Sequence, residues 1–431
     1  MKILWVCNIM LPFVAEALGC PASNKEGWLT GIAKKIIENA DAGVKLAVCF
    51  PVEDEKAYPM LMTSGGNPIM IQDVECYGFV ENTRCPETYD VALESRFEEI
   101  LADCQPDLIH CFGTEFGHTY AALKAFGKPE RSLVGIQGLC AAYAKVYMAD
   151  VPQIVQKRWT LRDFLRKDNL VQQQRKFVMR GERENQALRL TGNITGRTTF
   201  DREETYAVNP KARYLFMNET LRSNFYEGAW CLEDCERYSI FISQGNYPIK
   251  GLHYMLKAMA KLRERYPDCK LYVAGDIVTA YTTWKEKLKI SSYGKYLLDL
   301  IHEFRLEEAV VFLGKLDAEA MKKQFLKSHV HVLASALENS PNSLGEAMLL
   351  GVPCVASEVG GVPDMMLDGV EGLTYPKGNC EQLVACISRV FDNDEFARQI
   401  SESAARRARV THNGDANYRR LIEIYEIMME S

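Results

Sequence analysis

Two glutamates eight positions apart, Glu338 and Glu346, frame a turn rich in Ser, Pro and Asn in the stretch ENSPNSLGEAMLLGVPCVASEVGG. The turn leads into a predicted helix that begins around Asn342, Ser343 and Leu344. The first turn of a helix attracts phosphate, because its backbone N–H groups are unpaired and the helix dipole is positive there. The sequence therefore predicts that these three N–H groups face a phosphate, with a carboxylate on either side.

An alternative explanation of Glu346 needs no ligand. Ser343 and Glu346 spell S-x-x-E ahead of an apolar helix, which is the pattern of a capping box. The surrounding residues favour a ligand site, because Glu338 precedes the pattern and Gly360 and Gly361 follow the next predicted strand. Both explanations stay open for Glu346 from these residues alone.

Lys250 is a second candidate, in the stretch SQGNYPIKG (residues 243–251) at the end of a predicted strand. A fixed ammonium at such a position can stabilise the negative charge of a phosphate group. A lone lysine before a helix is otherwise usually a solvated surface residue. Lys250 is a candidate because of its position at the strand end.

The length and composition indicate a soluble globular protein of two domains. With 431 residues, the chain exceeds what one hydrophobic core usually supports. Its net charge of −6 argues against a general nucleic-acid binder. No apolar run approaches the roughly 18 residues of a membrane span. Asn8, Pro12 and Glu16 interrupt the apolar N-terminus, so a buried strand is a better interpretation than a signal peptide.

Neither the cysteines nor the acidic residues form a recognisable metal site. The fourteen cysteines are scattered and form no CxxC pair, which favours reduced thiols in a cytoplasmic protein. Cys231 and Cys235 lie four apart without a matching Cys or His pair, and no Asp-x-Asp pair ends a predicted strand. We therefore expect chemistry that needs no metal.

Short apolar runs alternate with amphipathic helices along both halves of the chain, which predicts two doubly wound α/β domains with parallel sheets. Ligands of such sheets bind beyond the carboxyl ends of the strands, so we expect the site in the cleft between the domains. We place the domains at residues 1–228 and 229–414 and expect the C-terminal helix, 415–431, to pack back on the first. The predicted strands are residues 2–7, 44–50, 108–111, 132–136, 193–196, 238–243, 270–274, 310–313, 329–333 and 353–356.

The paired glutamates, followed by EAM, a Gly-Val-Pro and a Gly-Gly, resemble the motif of retaining GT-B glycosyltransferases of family 4 (glycosyl transferases group 1), of the bacterial surface-polysaccharide type. The resemblance implies a GT-B fold of two Rossmann-like domains facing a central cleft, the first binding the acceptor and the second a nucleoside-diphosphate sugar. It implies sugar transfer with retention to a hydroxyl of a glycan or lipid-linked acceptor, in cell-surface polysaccharide or lipopolysaccharide biosynthesis. The nucleotide sugar would be a co-substrate, with no further cofactor.

The same resemblance implies roles for the motif residues. Glu346 would bind the ribose hydroxyls, since a carboxylate accepts two hydrogen bonds from a diol, and Glu338 would contact hydroxyls of the donor sugar. The backbone of residues 342–344 would take the distal phosphate, and Gly314 would border the base. The remaining donor-binding candidates are Ser243, Gln244, Gly275 and Asn339.

The chain departs from the family pattern at two positions. Gln244 stands six residues before Lys250, where many relatives have an arginine, and Gln137 stands where many have a histidine. An amide hydrogen-bonds both ways but is no general base. This fits a mechanism in which the leaving phosphate takes the acceptor proton, and equally a protein that binds without turnover. Arg197 is a candidate cation, with an ion pair to Asp201 or another neighbour as the alternative. We name Glu338, Lys250, Gln137 and Arg197 as catalytic candidates.

The first predicted domain offers acceptor-side candidates and a basic segment. Gly27 and Trp28 match the acceptor-side loop of the family, whereas His118 is interpreted as a helix-start or packing residue. Nine basic and three acidic residues lie between positions 157 and 183. Residues 156–183 form either a solvated helical face or a peripheral contact with anionic lipid. The second would suit a lipid-linked acceptor at the inner face of the plasma membrane.

Two other functions compete with sugar transfer. Gln244 and Gln137 suit a non-catalytic subunit that binds a nucleotide sugar. A sugar-nucleotide epimerase of the same fold is the other alternative, and it would need acid/base carboxylates and histidines in the cleft.

Overall fold

The structure is a computed structural model that describes residues 1–21, 27–39, 43–54, 56, 58–62, 68–279 and 283–430. The chain forms two compact units. The first unit comprises Met1–Ala142, Phe177–Leu221 and His412–Ser431, and the second comprises Tyr143–Lys176 and Arg222–Thr411.

The first unit is built on a sheet that has eight strands in the described residues, in the order β3-β4-β2-β1-β5-β6-β7-β8. All neighbouring strands are parallel except β3 and β4. Its central strands β1 and β5 are mostly apolar, as burial on both faces of a parallel sheet favours. The strands are β1 (Lys2–Val6), β2 (Lys45–Val52), β3 (Ile69–Ile71), β4 (Val74–Val80), β5 (Leu108–Phe112), β6 (Ser132–Gly135), β7 (Asn193–Gly196) and β8 (Arg213–Phe216).

The C-terminal helix, Gly414–Met429, packs into the core of the first unit. Its apolar residues recur at helical spacing, so Leu421, Tyr425 and Met428 share one buried face. The Tyr425 hydroxyl accepts a hydrogen bond from Trp5 Nε1 at 2.9 Å, which ties this helix to β1. The helices in chain order up to the second sheet are α1 (Pro12–Ala17), α2 (Gly27–Glu38), α3 (Ala92–Cys104), α4 (Gly117–Phe126), α5 (Cys140–Val146), α6 (Gln153–Gln156), α7 (Leu161–Arg166), α8 (Leu170–Leu190) and α9 (Thr199–Val208).

The second unit has a parallel sheet with the order β11-β10-β9-β12-β13-β14. Its strands are β9 (Glu236–Ile242), β10 (Lys270–Ala274), β11 (Val310–Gly314), β12 (Ser328–Leu333), β13 (Cys354–Ser357) and β14 (Leu373–Tyr375). The remaining helices are α10 (Leu252–Arg265), α11 (Trp284–Lys287), α12 (Ser292–Glu303), α13 (Ala318–Lys327), α14 (Asn342–Leu349), α15 (Val362–Met365), α16 (Cys380–Asp392), α17 (Asp394–Thr411) and α18, the C-terminal helix. Among the described residues, no helix is long and apolar enough to cross a membrane.

The observed units differ from the predicted bounds, because residues 143–176 belong to the second unit. Long-range hydrogen bonds hold this segment there. The buried carboxylate of Asp163 accepts a hydrogen bond from the backbone N–H of Ser292 at 2.8 Å, at the start of α12. The Ala149 carbonyl lies 2.7 Å from His253 Nε2 on α10. Such contacts join residues more than 100 positions apart, and local sequence patterns do not reveal them.

Candidate functional site

Most donor-binding candidates lie where the strands of the second sheet end. Gln244 follows β9, Gly275 follows β10, Gly314 ends β11 and Glu338 lies in the loop after β12. Because the carboxyl ends of parallel strands meet at one edge of a sheet, these residues share that edge. The N–H of Gly275 donates to the Gly314 carbonyl at 2.9 Å, so their loops are in contact. Gln244 is exposed there, and Ser243 before it is half-buried.

Lys250 and Glu338 form an ion pair at this edge. Lys250 ends a short 3-10 turn, Pro248–Lys250, and its Nζ lies 2.7 Å from Glu338 Oε1. The same oxygen accepts a hydrogen bond from Ser335 Oγ at 2.6 Å. Burial alone lowers the pKa of Lys250, but the Glu338 carboxylate raises it above its usual value. The pair therefore presents a fixed, fully protonated ammonium.

Two glycines bring the backbones of this site together. Gly251, at φ +70°, packs against the end of β12 so closely that a Cβ would lie 1.8 Å from the Ala334 carbonyl oxygen. Gly360, at φ +50°, packs against the backbone of Glu338, where a Cβ would lie 1.9 Å from the carbonyl oxygen. A side chain at either position would displace Lys250 or Glu338, because each glycine touches the loop that carries one of them.

Glu346 lies on α14 and is bound by an arginine, Arg222, that the sequence analysis did not single out. Arg222 donates from Nε to Oε1 at 2.6 Å and from Nη2 to Oε2 at 2.7 Å. Burial raises the pKa of Glu346, and the guanidinium opposes this rise. The capping-box explanation is wrong, because the residue before α14 is Pro341, which has no capping side chain.

The turn predicted to bind phosphate lies at the start of α14. Asn342 and Ser343 begin α14, which puts them at its N-terminus. The N–H of Leu344 instead donates to the Pro341 carbonyl at 3.0 Å, so it is not directed at a ligand. Asn339, in the preceding loop, is buried.

In the first unit, two catalytic candidates meet at a buried carboxylate, Glu219. Gln137 follows β6 and donates from Nε2 to Glu219 Oε1 at 2.7 Å. Arg197 follows β7 and pairs through Nη1 with Glu219 Oε2 at 2.8 Å. Asp201 accepts the backbone N–H of Arg197 and caps α9, so the ion pair of Arg197 is with Glu219. Glu219 follows β8, and no sequence motif marked it.

The other candidates of the first unit have simpler outcomes. His118 is fully buried near the start of α4, 2.5 Å from Glu81 Oε2 through Nδ1 and 2.9 Å from Asn8 Oδ1 through Nε2, which is a packing role. Gly27 and Trp28 begin α2, but their side-chain positions lie outside the described part of the chain. In that described part, no group of three or more His, Cys, Asp or Glu residues is arranged to hold a metal ion.

Comparison with known proteins finds a family model that matches part of the second unit. Residues 232–407 match the family model described as glycosyl transferases group 1. The chain is 28% identical over 200 residues to an uncharacterized glycosyltransferase of Methanocaldococcus jannaschii, covering 46% of this chain and 47% of that protein. It is 27% identical over 173 residues to the N-acetyl-alpha-D-glucosaminyl L-malate synthase of Bacillus anthracis, covering 40% and 41%. The chain thus spans less than half the length of these relatives.

Solved structures match the whole chain at low sequence identity. The sucrose-phosphate synthase from Thermosynechococcus elongatus matches with a TM-score of 0.68 and 16% identity, over 100% of this chain and 99% of that one. Anabaena HepE, solved in complex with UDP and glucose, matches with a TM-score of 0.63 and 17% identity, over 98% and 99%. At this identity the likeness establishes the fold, which is that of GT-B glycosyltransferases. The chain therefore has the GT-B fold, and its residues 232–407 match the glycosyl transferases group 1 model.

Proposed function

We propose that this chain transfers a sugar from a nucleoside-diphosphate sugar to a hydroxyl of a glycan or lipid-linked acceptor, with retention of configuration. The observation that carries the proposal is the ion pair of Lys250 and Glu338, at the sheet edge of the matched domain. The UDP bound by Anabaena HepE supports a nucleotide donor. We place the reaction in cell-surface polysaccharide or lipopolysaccharide assembly, on the cytoplasmic side of the membrane.

The donor roles follow from the charge of each group. The Lys250 ammonium faces the diphosphate and stabilises the negative charge that grows on it as the sugar leaves. Glu338 holds Lys250 in place and accepts hydrogen bonds from the sugar hydroxyls. Glu346 accepts hydrogen bonds from the ribose diol. Gln244 brings no charge to the diphosphate, so Lys250 carries a larger share of the stabilisation.

The acceptor proton needs a base, and the leaving phosphate oxygen serves as that base in this proposal. Gln137 does not replace it, because an amide has no useful basicity near neutral pH. Its hydrogen bond to Glu219 fixes the amide, so that Gln137 orients a hydroxyl rather than deprotonating it. No cofactor or metal is required by these steps.

Contact with a membrane surface is part of this proposal, and we assign it to a segment shorter than residues 156–183. In the second half of α8, Arg180 donates to the Glu115 carbonyl and Arg183 stacks on Tyr89, so neither belongs to an exposed face. Exposed apolar and basic side chains occur on the first half of α8, at Val171, Arg175, Val178 and Met179, and on α6, α7 and the residues between them. We assign the contact to the latter side chains, which form what we call the α6–α7 surface (residues 153–167). They are Ile154, Lys157, Trp159, Leu161, Phe164, Leu165, Arg166 and Lys167.

The charge of the α6–α7 surface suits anionic lipid. Its single acidic residue, Asp163, is buried and bonded to Ser292 and Arg162, so its exposed charges are all positive. Phe164 and Leu165 are 68% and 71% exposed, although both are large and apolar. Shallow insertion of these tips would bury apolar area, and each cation near an anionic surface adds about 1 kcal/mol.

A donor screen tests the function. Calorimetry with UDP-, GDP- and ADP-sugars identifies the donor, and a transfer assay then follows the anomeric configuration of the product by NMR. We expect one donor to bind and to be slowly hydrolysed, with transfer to a suitable acceptor. Binding with neither hydrolysis nor transfer would favour a non-catalytic subunit, which Gln244 and Gln137 make the second candidate. Conversion of the donor sugar without an acceptor would indicate an epimerase.

A further inference from the structure

Glu346 has a partner that the motif does not predict. Arg222 presents Nε and Nη2 side by side to the two carboxylate oxygens, at 2.6 and 2.7 Å. Such a two-point contact fixes the plane of the carboxylate as well as its charge. Both residues belong to the second unit, so the contact is internal to the domain that holds the donor candidates.

The arginine is itself held in place. Its guanidinium lies 4.6 Å from the centre of the Phe225 ring. Phe225 is fully buried and packs edge-on against Phe325 of α13, which places the ring within the core of the second unit. Arg222 is therefore a rigid donor, and a flexible surface arginine would not keep both hydrogen bonds.

We propose that Arg222 is a positioning residue for nucleotide recognition, which keeps Glu346 ionised and aims its free lone pairs at the 2′ and 3′ hydroxyls of the donor ribose. This inference rests on the proposed function, since it assigns Glu346 to the ribose. A carboxylate offers about four acceptor positions. Arg222 occupies one on each oxygen, which leaves one on each for a diol.

The ionised state of Glu346 also depends on Arg222. Glu346 is almost completely buried, and burial raises the pKa of its carboxyl. A protonated carboxyl has a hydrogen on one oxygen and cannot accept from both ribose hydroxyls in the same geometry. The Arg222 guanidinium opposes the rise in the pKa, so it favours the ionised form of Glu346, which accepts hydrogen bonds on both oxygens.

Lysine cannot fully replace arginine in this role. A guanidinium offers parallel donors in a fixed plane, whereas an ammonium is a point charge on a flexible stem. R222K should therefore keep Glu346 charged but leave its orientation loose. R222Q should lose both the charge and the two-point contact.

The experiment compares nucleotides with and without the diol. Affinities of the wild type, R222K, R222Q and E346A are measured by calorimetry for UDP, GDP and ADP and for their 2′,3′-dideoxy counterparts. The wild type should prefer the ribose form of the nucleotide that it binds. In R222Q this preference should fall about tenfold, while the affinity for the dideoxy nucleotide stays unchanged. R222K should be intermediate.

The pH dependence gives an independent readout. Without the guanidinium the pKa of Glu346 rises further, so R222Q should lose its affinity for the ribose nucleotide at a higher pH than the wild type. The dideoxy nucleotide should show no such difference. Unfolding midpoints of all variants report whether the fold is retained.

The outcomes separate this inference from the proposed function. A wild type that binds both nucleotide forms equally, or an E346A variant that keeps the preference, overturns the ribose assignment and this inference with it. If the wild type discriminates and R222Q discriminates equally well, only the role of Arg222 is overturned. Tighter binding of the ribose form by R222Q also overturns it, because that result would make Arg222 a competitor for Glu346.

Discussion

Lys250 and Glu338 are held 2.7 Å apart at the carboxyl edge of the second sheet, although 88 positions separate them in the chain. The two residues belong to separate sequence motifs, which predict different contacts with the donor. Because the two residues form an ion pair, replacing one also changes the charge environment of the other.

Replacing Lys250 with alanine should reduce transfer by a factor of about 10² to 10³, because the leaving diphosphate loses its nearest fixed cation. The same change leaves the buried Glu338 carboxylate without its partner, at a cost of about 3–5 kcal/mol. K250R is the matched control, since it keeps the charge. Turnover and unfolding midpoint are measured together, and full turnover in folded K250A would contradict the proposed role.

Replacing Glu338 with glutamine should introduce an alkaline limit to activity. Burial lowers the pKa of Lys250, whereas Glu338, Tyr247 and Tyr143 raise it, so removing the Glu338 carboxylate should lower the pKa. Lys250 then loses its charge as the pH rises, and transfer falls with it. In the wild type the raised pKa keeps the ion pair, and its contribution to stability, intact across the neutral range. A pH–rate profile of both proteins checks this, and identical alkaline limbs would contradict it.

Variants of Glu219 can separate a structural role of Arg197 from a catalytic one. E219A should destabilise the protein by about 3–5 kcal/mol, because it removes the carboxylate that forms an ion pair with the buried Arg197 guanidinium. The double variant R197M/E219L removes both charges and should recover most of that loss. If the recovered protein is still inactive with a bound donor, Arg197 or Glu219 has a role beyond the ion pair. Recovery of both stability and activity would make the pair purely structural.

Gly251 should not tolerate alanine. The substitution combines left-handed strain with a Cβ that would lie 1.8 Å from the Ala334 carbonyl oxygen. Gly369 is a matched control, since it has a similar φ of +72° but no neighbour within 4 Å. G369A should cost only the strain, about 1–2 kcal/mol, and G251A should cost clearly more and weaken donor binding. Chemical denaturation of both variants measures the difference, and equal losses would contradict a role for close packing.

Introducing negative charge on the α6–α7 surface should release the protein from anionic membranes. The variant F164E/L165E replaces two exposed apolar tips, so folding should be unaffected while sedimentation with phosphatidylglycerol vesicles is lost. Y206E is a suitable control, because Tyr206 is also an exposed large side chain but lies on α9 in the first unit. Vesicles of phosphatidylcholine alone should bind neither protein. Self-association of the wild type that disappears in the variant would point instead to a second copy as the partner.

The positions of the strands could be predicted from the sequence more reliably than the long-range contacts of individual side chains. Strands β5, β7 and β10 were predicted to within one residue of their observed bounds. For β5 the reason is that a strand buried on both faces is largely apolar. Strand β4 was missed, since Glu75 and Gly78 interrupt its apolar residues. Strand β14 was missed because it has only three residues.

The residues of the candidate site also divide into those that the sequence indicated and those that it did not. Glu338, Glu346 and Lys250 could be proposed because they lie at fixed positions in local motifs. Arg222 and Glu219 are single charged residues in segments without a motif, and their importance comes from partners 124 and 82 positions away. Contacts at such distances depend on the fold, so a local pattern could not have indicated them.

Because residues 143–176 belong to the second unit, they limit how parts of this chain can be exchanged during evolution. The chain passes from one unit to the other after residues 142, 176, 221 and 411, so neither unit is a single stretch of sequence. A gene exchange that moved only residues 232–407 would leave behind Arg222 and Asp163, which bond to Glu346 and Ser292. We therefore expect both units of a natural chimaera to come from the same ancestor. Any junction between two parent sequences should lie in a surface loop within one unit, and not at a boundary between the units.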